Sequence, residues 1–332
     1  MNNFSKLLSD YFLKYLVNQK KASENTIKTY RDAFVLLLEF MESNRSIKAY
    51  KIKINDFSYE MINEFLNWLE EVKGVSISTR NNRLAAIKSF FRYVSYIDPE
   101  YLAICTSILN IQKKKCTTRT MNYLSIDAYI DFISGFNKNN FKDLRDLCIV
   151  VLLYESGARV SELINVRKRD LHLEKPYTVV LQGKGRKIRS VPLDYSVIKV
   201  LNKYIKKYNV SDEDFLFFNA RRNKLTREGV NYILQKHFNS AKEKNKLLYP
   251  STISPHCIRH SRAMHLLENG VNLIYIRDLL GHSSVTVTEI YSKANPEIKR
   301  KQILENAARI EIKDDYDEEE KENLLEWLKN PI

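Results

Sequence analysis

The sequence predicts a mainly α protein of two domains. The first is an N-terminal four-helix bundle, and the second is a mixed α+β domain, mostly helical, with one small β-hairpin. Three observations carry this. Apolar residues recur at helical spacing through most of the chain. A run without apolar periodicity, LNIQKKKCTTRTMN at 109–122, divides it. Only two short β-type runs occur, on either side of GKGRK.

In the first domain, residues 4–19 form a helical stripe of Phe4, Leu7, Leu8, Tyr11, Phe12, Tyr15 and Leu16. Ser23 opens a second helix that runs through Thr26 and Tyr30 into FVLLLEFM. Lys48–Ile54 is a connection. Ser58 opens a third helix, YEMINEFLNWLEEV, which Gly74 stops. Ser76 or Ser78 opens a fourth, which Asp98-Pro99 stops. Arg80, Arg83, Lys88 and Arg92 stand on that fourth helix beside an apolar face of Leu84, Ile87, Phe90 and Phe91. They predict a DNA-facing surface, joined by Thr26 on the second helix. The alternative is a plain solvated face.

The expected divisions are a helical domain at 1–110, a basic linker at 111–122, a larger domain at 123–310 and an acidic tail at 311–332. Lys113, Lys114 and Lys115 suit a linker lying along a phosphate backbone. The larger domain opens with helices near 125–136 and 141–156, the latter ending at Gly157, and a short helix in ARVSELINV. Tyr177–Leu181 and Ile188–Pro192 form the hairpin. Helices near 194–208, 226–243, 254–269, 272–280 and 285–293 follow, and Asn295-Pro296 starts another.

Charge narrows the partner. The chain carries +14 in all, and the tail carries nine acids and three bases. The tail's −6 set against +14 leaves +20 on residues 1–310. A body so basic predicts a polyanion, most simply double-stranded DNA. No apolar run is long enough for a membrane span, and MNNFSKLLSDYFLKYL lacks the form of a signal peptide. Cys105, Cys116, Cys148 and Cys257 show no CxxC spacing. They read as free thiols of a cytoplasmic, nucleoid-associated protein.

The chemistry concentrates in SPHCIRHSRAMHLLENGVNLIYIRDLLGHSSVTVTEIY, residues 254–291. Ser254 caps and Pro255 begins a helix that places His256, Arg259 and His260 on one face. Gly270 ends it, and Asn272 opens a second helix that closes at Gly281 and delivers His282. Ser284 can open a third, which carries Tyr291. Cations, imidazoles and a phenol together suit an anionic phosphorus centre. His256 and His260 also have the spacing of a zinc pair. However, Cys257 stands where HExxH has its glutamate, and no Cys/His cluster adds ligands, so no metal is expected.

In order and spacing, ARVSEL, GKGRKIRSVPL, HCIRH, LLGHSS and the trailing Tyr291 resemble the tyrosine recombinase (phage integrase) family, in particular its small Xer-like members. S-x-x-T-x-x-x-Y at Ser23–Tyr30 and TRNNRLAAIKSFFRY resemble the family's helical core-binding domain. The resemblance thus spans essentially the whole chain. Within the family, the stretch that ends in Tyr291 is more similar to mobile-element recombinases than to chromosome-dimer resolvases. Ala158 departs from the larger apolar residue common before the arginine.

The resemblance implies a catalytic set of Arg159, Lys184, His256, Arg259, His282 and the nucleophile Tyr291. His260 would be structural, and Glu162 would orient Arg159 or its helix. Lys187 or Arg186 could replace Lys184, and Arg186 is also a candidate DNA contact. The resemblance further implies a 3′-phosphotyrosyl intermediate and four protomers that exchange strands through a Holliday junction. A second recombinase or an accessory protein is a possible further partner. The residue types fit independently. Phenol, with a pKa of ~10, leaves more readily than an alkoxide, so the link can be resealed without ATP. Two guanidiniums can grip the nonbridging oxygens in place of a metal, so no cofactor is expected. Two other readings share the fold: a DNA-binding protein that no longer cleaves, and a type IB topoisomerase-like enzyme. The filled catalytic set argues against the first. The helical first domain and the extension beyond Tyr291 argue against the second.

Overall fold

A computed structural model describes residues 3–116, 122–183, 187–281 and Lys329. These divide into two compact units, one within Met1–Arg119 and one within Thr120–Ile332.

The first unit is helical. Its elements are α1 (Asn3–Asp10), continued by a π-helical segment, Tyr11–Gln19, then α2 (Glu24–Arg45), α3 (Tyr59–Glu71), α4 (Ile77–Ile97) and α5 (Leu102–Leu109). Three serines start helices by accepting a backbone N–H: Ser23 from Thr26, Ser58 from Met61 and Ser76 from Thr79. Ser76, not Ser78, is therefore the start of α4. The Thr26 hydroxyl also lies 2.9 Å from Ser23 Oγ, within this cap. The core is aromatic: Phe4, Tyr11, Phe34, Phe57, Phe90 and Phe91 pack edge to face or tilted. α5, which the sequence reading left unassigned, adds Cys105 and Ile108 to this core.

Helix α4 corrects the expected basic face. Arg80 is buried, and its Nε lies 2.7 Å from Glu70 Oε1 on α3. Lys88 donates to the carbonyls of Leu109, at 2.6 Å, and Ile111. It closes the C-terminal end of α5, whose last carbonyls have no partner in their own helix. Desolvation there, then the charges of Lys113 and Arg92, hold its pKa below the usual lysine range. Arg83 is half-buried and donates to Thr29 O at 2.8 Å. The wide apolar face of α4 draws these long side chains across its edges. Of the four, Arg92 alone is exposed. Within the expected linker, Ile111 is buried in the first unit and Lys114 pairs with Glu70 at 2.7 Å. Lys113 and Lys115 are exposed.

The second unit contains α6 (Ile126–Ser134), α7 (Phe141–Ser156) and α8 (Val160–Leu163), then a three-stranded antiparallel sheet. Its strands are β1 (Leu171–His172), β2 (Thr178–Gln182) and β3 (Ile188–Pro192). The expected hairpin is β2–β3, in register from Thr178 opposite Pro192 to Gln182 opposite Ile188. The two-residue β1 extends it. Helices α9 (Tyr195–Tyr208), α10 (Arg227–Lys244), α11 (Pro255–Glu268) and α12 (Leu273–Leu280) follow. The apolar α7 lies at the centre, with Cys148, Ile149, Val150, Leu152 and Leu153 fully buried.

The ends of α11 and α12 are built locally. Ser254 accepts from Cys257 N at 3.2 Å, and Pro255 takes the first turn. Asn272 accepts from Ile274 N at 2.9 Å, and Gly281 closes α12 with φ +63°. A second set of contacts fixes α11 from outside. Leu124 N donates to Ser261 Oγ at 2.8 Å, and His265 Nε2 lies 2.8 Å from Leu124 O. That carbonyl requires Nε2 to be the protonated nitrogen, so Nδ1 accepts from the Tyr154 hydroxyl at 2.7 Å.

Candidate active site

Arg159 stands just before α8 in extended backbone, and Glu162 follows one turn on. Glu162 is buried and receives four donors. Arg159 N reaches Oε2 at 2.8 Å, and Arg159 Nη1 reaches Oε1 at 2.9 Å. Arg189 of β3 supplies the others, Nη1 to Oε1 at 3.1 Å and Nη2 to Oε2 at 2.7 Å. Burial alone would raise the Glu162 carboxyl. The bonds and charges of Arg189 and Arg159 outweigh it and hold the pKa below the ordinary value. The carboxylate stays ionised and fixes both guanidiniums.

Arg259 comes from the buried face of α11 and is 2% exposed. Its Nη1 donates to Gly157 O at 2.5 Å and its Nη2 to Leu280 O at 2.6 Å. Arg159 Nη2 donates to Gly281 O at 3.3 Å, and Arg189 Nε to Leu279 O at 2.9 Å. Three arginines from three separate elements therefore hold three consecutive carbonyls at the C-terminal end of α12. Helix geometry leaves these carbonyls without partners, and the helix dipole favours cations there.

His256 begins α11 with its ring accessible to solvent yet in crowded surroundings. That partial desolvation, then the charges of Arg259 and Arg159, holds its pKa below the ordinary histidine value. His256 is thus a neutral imidazole at neutral pH, next to two cations. His260 stands one turn on, its ring 6.3 Å from that of His256. Burial first, then His256 and Arg259, pushes it down to about 4.

The structure thus brings Arg159, Arg259 and His256 together at the end of α12. Lys184, Arg186, His282 and Tyr291 lie outside the described residues, as do the expected helices at 285–293 and from Pro296. The β2–β3 turn is described up to Gly183 and from Lys187, and the Gly183 N–H donates to Lys187 O at 2.7 Å. The sequence reading missed Arg189. Its signal was present in the strand alternation. In IRSVP, Arg189 and Val191 face inward while Ile188, Ser190 and Pro192 are exposed. A charged residue at an inward strand position marks a buried partner.

Asp143, Asp146 and His237 also bring ligand-type atoms within 4.8 Å of one another. Asp146 Oδ1 already accepts Arg145 Nε and Nη2, at 3.0 and 2.7 Å, and Oδ2 lies 3.1 Å from His237 Nε2. This is an internal charge network apart from the Arg159 site. No helix among the described residues is long and apolar enough to cross a membrane.

Two family models match the chain. The model described as the phage integrase family matches residues 125–297, and that described as the phage integrase N-terminal SAM-like domain matches 10–95. The chain belongs to the phage integrase family. The first match encloses Arg159, the β-hairpin, α11 and α12 in one segment. Full-length relatives agree. The putative integrase/recombinase y4rC of Sinorhizobium fredii (strain NBRC 101917 / NGR234) is 33% identical over 293 residues, 88% of each chain. The tyrosine recombinase XerC of Leptospira interrogans (serovar copenhageni) is 29% identical, over 89% of this chain and 91% of that one. Among solved structures, the Tn1549 transposon integrase in complex with transposon right end DNA has a TM-score of 0.70 at 20% identity. The alignment covers 91% of this chain and 99% of that one. The XerH site-specific recombinase bound to palindromic difH substrate has a TM-score of 0.68 at 24% identity, covering 88% and 81%. These structures share the fold of this phage integrase family member, which is a tyrosine recombinase.

Proposed function

We propose that the protein cleaves and rejoins DNA at specific sites, with Tyr291 as nucleophile. The observation that carries this reading is the convergence of Arg159 and Arg259 on the carbonyls of Gly281 and Leu280. That turn leads directly to His282 and, nine residues later, to Tyr291. A scissile phosphate held there would lie beside two guanidiniums, and the N–H groups not already given to Glu162 or to the backbone carbonyls would serve its nonbridging oxygens, an anion site suited to the transition state.

In the first step the Tyr291 Oη–P bond forms and the P–O5′ bond breaks, leaving a 3′-phosphotyrosyl link. The phenolic proton passes to a neutral imidazole, for which His256 is poised, or to His282. Lys184 donates the proton that the departing 5′-oxygen takes up. A 5′-hydroxyl from the partner site then attacks the phosphotyrosine, and the same steps run backwards. Two such rounds give strand exchange through a Holliday junction. Four protomers on two DNA sites would complete it, with or without a second recombinase or an accessory protein. The similarity of residues 254–291 to mobile-element recombinases suggests integration, excision or transposition. Within this reading, of the first-unit cations expected to meet DNA, Arg92, Lys113 and Lys115 are exposed, and Lys114 is exposed but paired with Glu70. Part of the acidic tail, 311–332, would pack on a neighbouring protomer. Its deletion should then impair junction resolution, and unchanged resolution would discard that exchange.

The direct test uses a nicked duplex carrying the DNA that flanks the protein's own gene. The nick traps the covalent complex by releasing a short strand. Wild type should become linked, while Tyr291→Phe should bind without linking. Full-yield linkage by Tyr291→Phe would refute the nucleophile.

A further inference from the structure

We infer that Arg189 is a positioning residue of the active site, acting on both Arg159 and the turn that delivers His282. The inference rests on the recombinase reading for its catalytic consequence and on geometry for its structural one.

The guanidinium of Arg189 makes two kinds of contact at once. Its Nη1 and Nη2 form a two-pronged pair with Glu162, at 3.1 and 2.7 Å. Its Nε donates to Leu279 O at 2.9 Å. The side chain is 15% exposed, and that of Glu162 2%. Glu162 is the same carboxylate that receives Arg159 N and Nη1. One planar cation thus ties the arginine before α8 to the last turn of α12, which lies about 120 residues further along the chain.

Gly281 fits the same account. Its φ is +63°, and a Cβ there would sit 2.9 Å from Arg189 Nη1 and 3.2 Å from Cζ. The Arg189 fork therefore lies directly beneath the residue before His282. Gly183, at the other end of the β2–β3 turn, has Glu162 Oε1 and Arg189 Nη1 in the same shell, 3.1 and 3.7 Å from its notional Cβ. Glu162 and Arg189 thus form the common floor under Gly183, which precedes Lys184, and Gly281, which precedes His282.

Two consequences follow from the chemistry. Without Arg189, the buried Glu162 loses two of its four donors, and Arg159 loses the counter-pull that fixes the carboxylate plane. Leu279 O loses its donor, so the last turn of α12 is freer to fray. Lysine cannot replace this arginine. A single ammonium cannot grip both carboxylate oxygens and a carbonyl in one plane.

The experiment uses full-length protein and the nicked duplex described above. Arg189→Ala, Arg189→Lys, Arg159→Ala and the double variant Arg159→Ala/Arg189→Ala are compared in single-turnover cleavage. Amide exchange is followed over 273–281 and over α7. Arg189→Ala should slow cleavage on the order of 10²-fold, the cost of misplacing a catalytic group by a change away from the chemistry, with DNA affinity retained. Arg189→Lys, which keeps the charge beside Glu162, should stay folded and fall between. The double variant should cleave no more slowly than Arg159→Ala alone. Exchange should quicken at the end of α12 and stay slow in α7. A double variant whose losses multiply, or unaltered exchange at the end of α12, would overturn the inference. If wild type itself fails to link, the recombinase reading falls, and the exchange measurement alone decides the role of Arg189.

Discussion

Replacing Gly157 with alanine should cost far more than the same change at Gly74. Both glycines end helices in the left-handed region, with φ +54° and +63°. An alanine at either position carries a backbone penalty of about 1 kcal/mol. At Gly74 nothing lies within 4 Å of the added Cβ. At Gly157 that Cβ would meet Leu280 Cδ2 at 2.7 Å and Leu279 Cδ2 at 3.3 Å. Leu280 is fully buried, so its methyl has little room to retreat. Overpacking of this kind adds about 1–3 kcal/mol. The expected losses are then about 1 kcal/mol for Gly74→Ala and about 2–4 kcal/mol for Gly157→Ala. Each kcal/mol lowers the midpoint of the second unit by about 2–4 °C, and that of the smaller first unit by about 4 °C. Calorimetry measures the loss, and amide exchange in α3 and α7 assigns each transition to its unit. Gly157 O also accepts Arg259 Nη1, so covalent linkage should fall with the Gly157 change and not with the Gly74 change. Equal stability losses for the two variants would refute the packing argument.

Other expectations follow from buried charge. Arg80→Ala should destabilise the first unit by about 1–3 kcal/mol, read by urea unfolding, because part-buried Glu70 loses its buried partner but keeps Lys114 at 2.7 Å. Its DNA affinity should fall only under conditions that unfold it, and the salt dependence of binding should match wild type. His260 gives a pH signature. Its pKa is about 4 in the folded protein against an ordinary 6.5. The unfolded chain therefore takes up a proton first, and stability present above pH 6.5 is lost as pH falls towards 4. The shift sets an upper bound of about 3 kcal/mol, which solvent screening of this partly exposed ring reduces. His260→Gln should flatten unfolding free energy across that window, and an unchanged slope would remove His260 as the cause.

Features governed by near neighbours in sequence were legible in advance. Ser254-Pro255 and Asn272 open α11 and α12, and Gly157 and Gly281 close α7 and α12, because caps and left-handed positions act within a turn. His256 and Arg259 fall on one helix for the same reason. Features set by distant partners were not legible. Arg80 looked like a surface cation because Glu70 belongs to another helix. Lys88 looked likewise because the carbonyls it closes belong to α5. LAICTSIL has no polar face to give α5 a periodicity, and β1 is too short to show alternation. The role of Glu162 was legible in direction, as a residue that orients Arg159. The second arginine on its other side depends on strand β3 lying against α8. That is a tertiary fact, for which inward alternation was the only local trace.

The placement of Arg259 bears on how any inactive variant of this protein is understood. Its two terminal nitrogens join the turn after α7 to the end of α12, across sequence gaps of 102 and 21 residues. It therefore acts as a cross-link with no covalent bond, and it is buried where water cannot replace it. Truncating it would unfasten two segments at once, besides removing the phosphate contact proposed for it, so lost activity alone would say little about chemistry. Arg159, one-third exposed and held through Glu162, can be altered with far less disturbance to the fold. A genetic screen for loss of recombination should therefore return two classes at these positions: scarce or unstable protein at Arg259, and abundant, DNA-binding, uncleaving protein at Arg159.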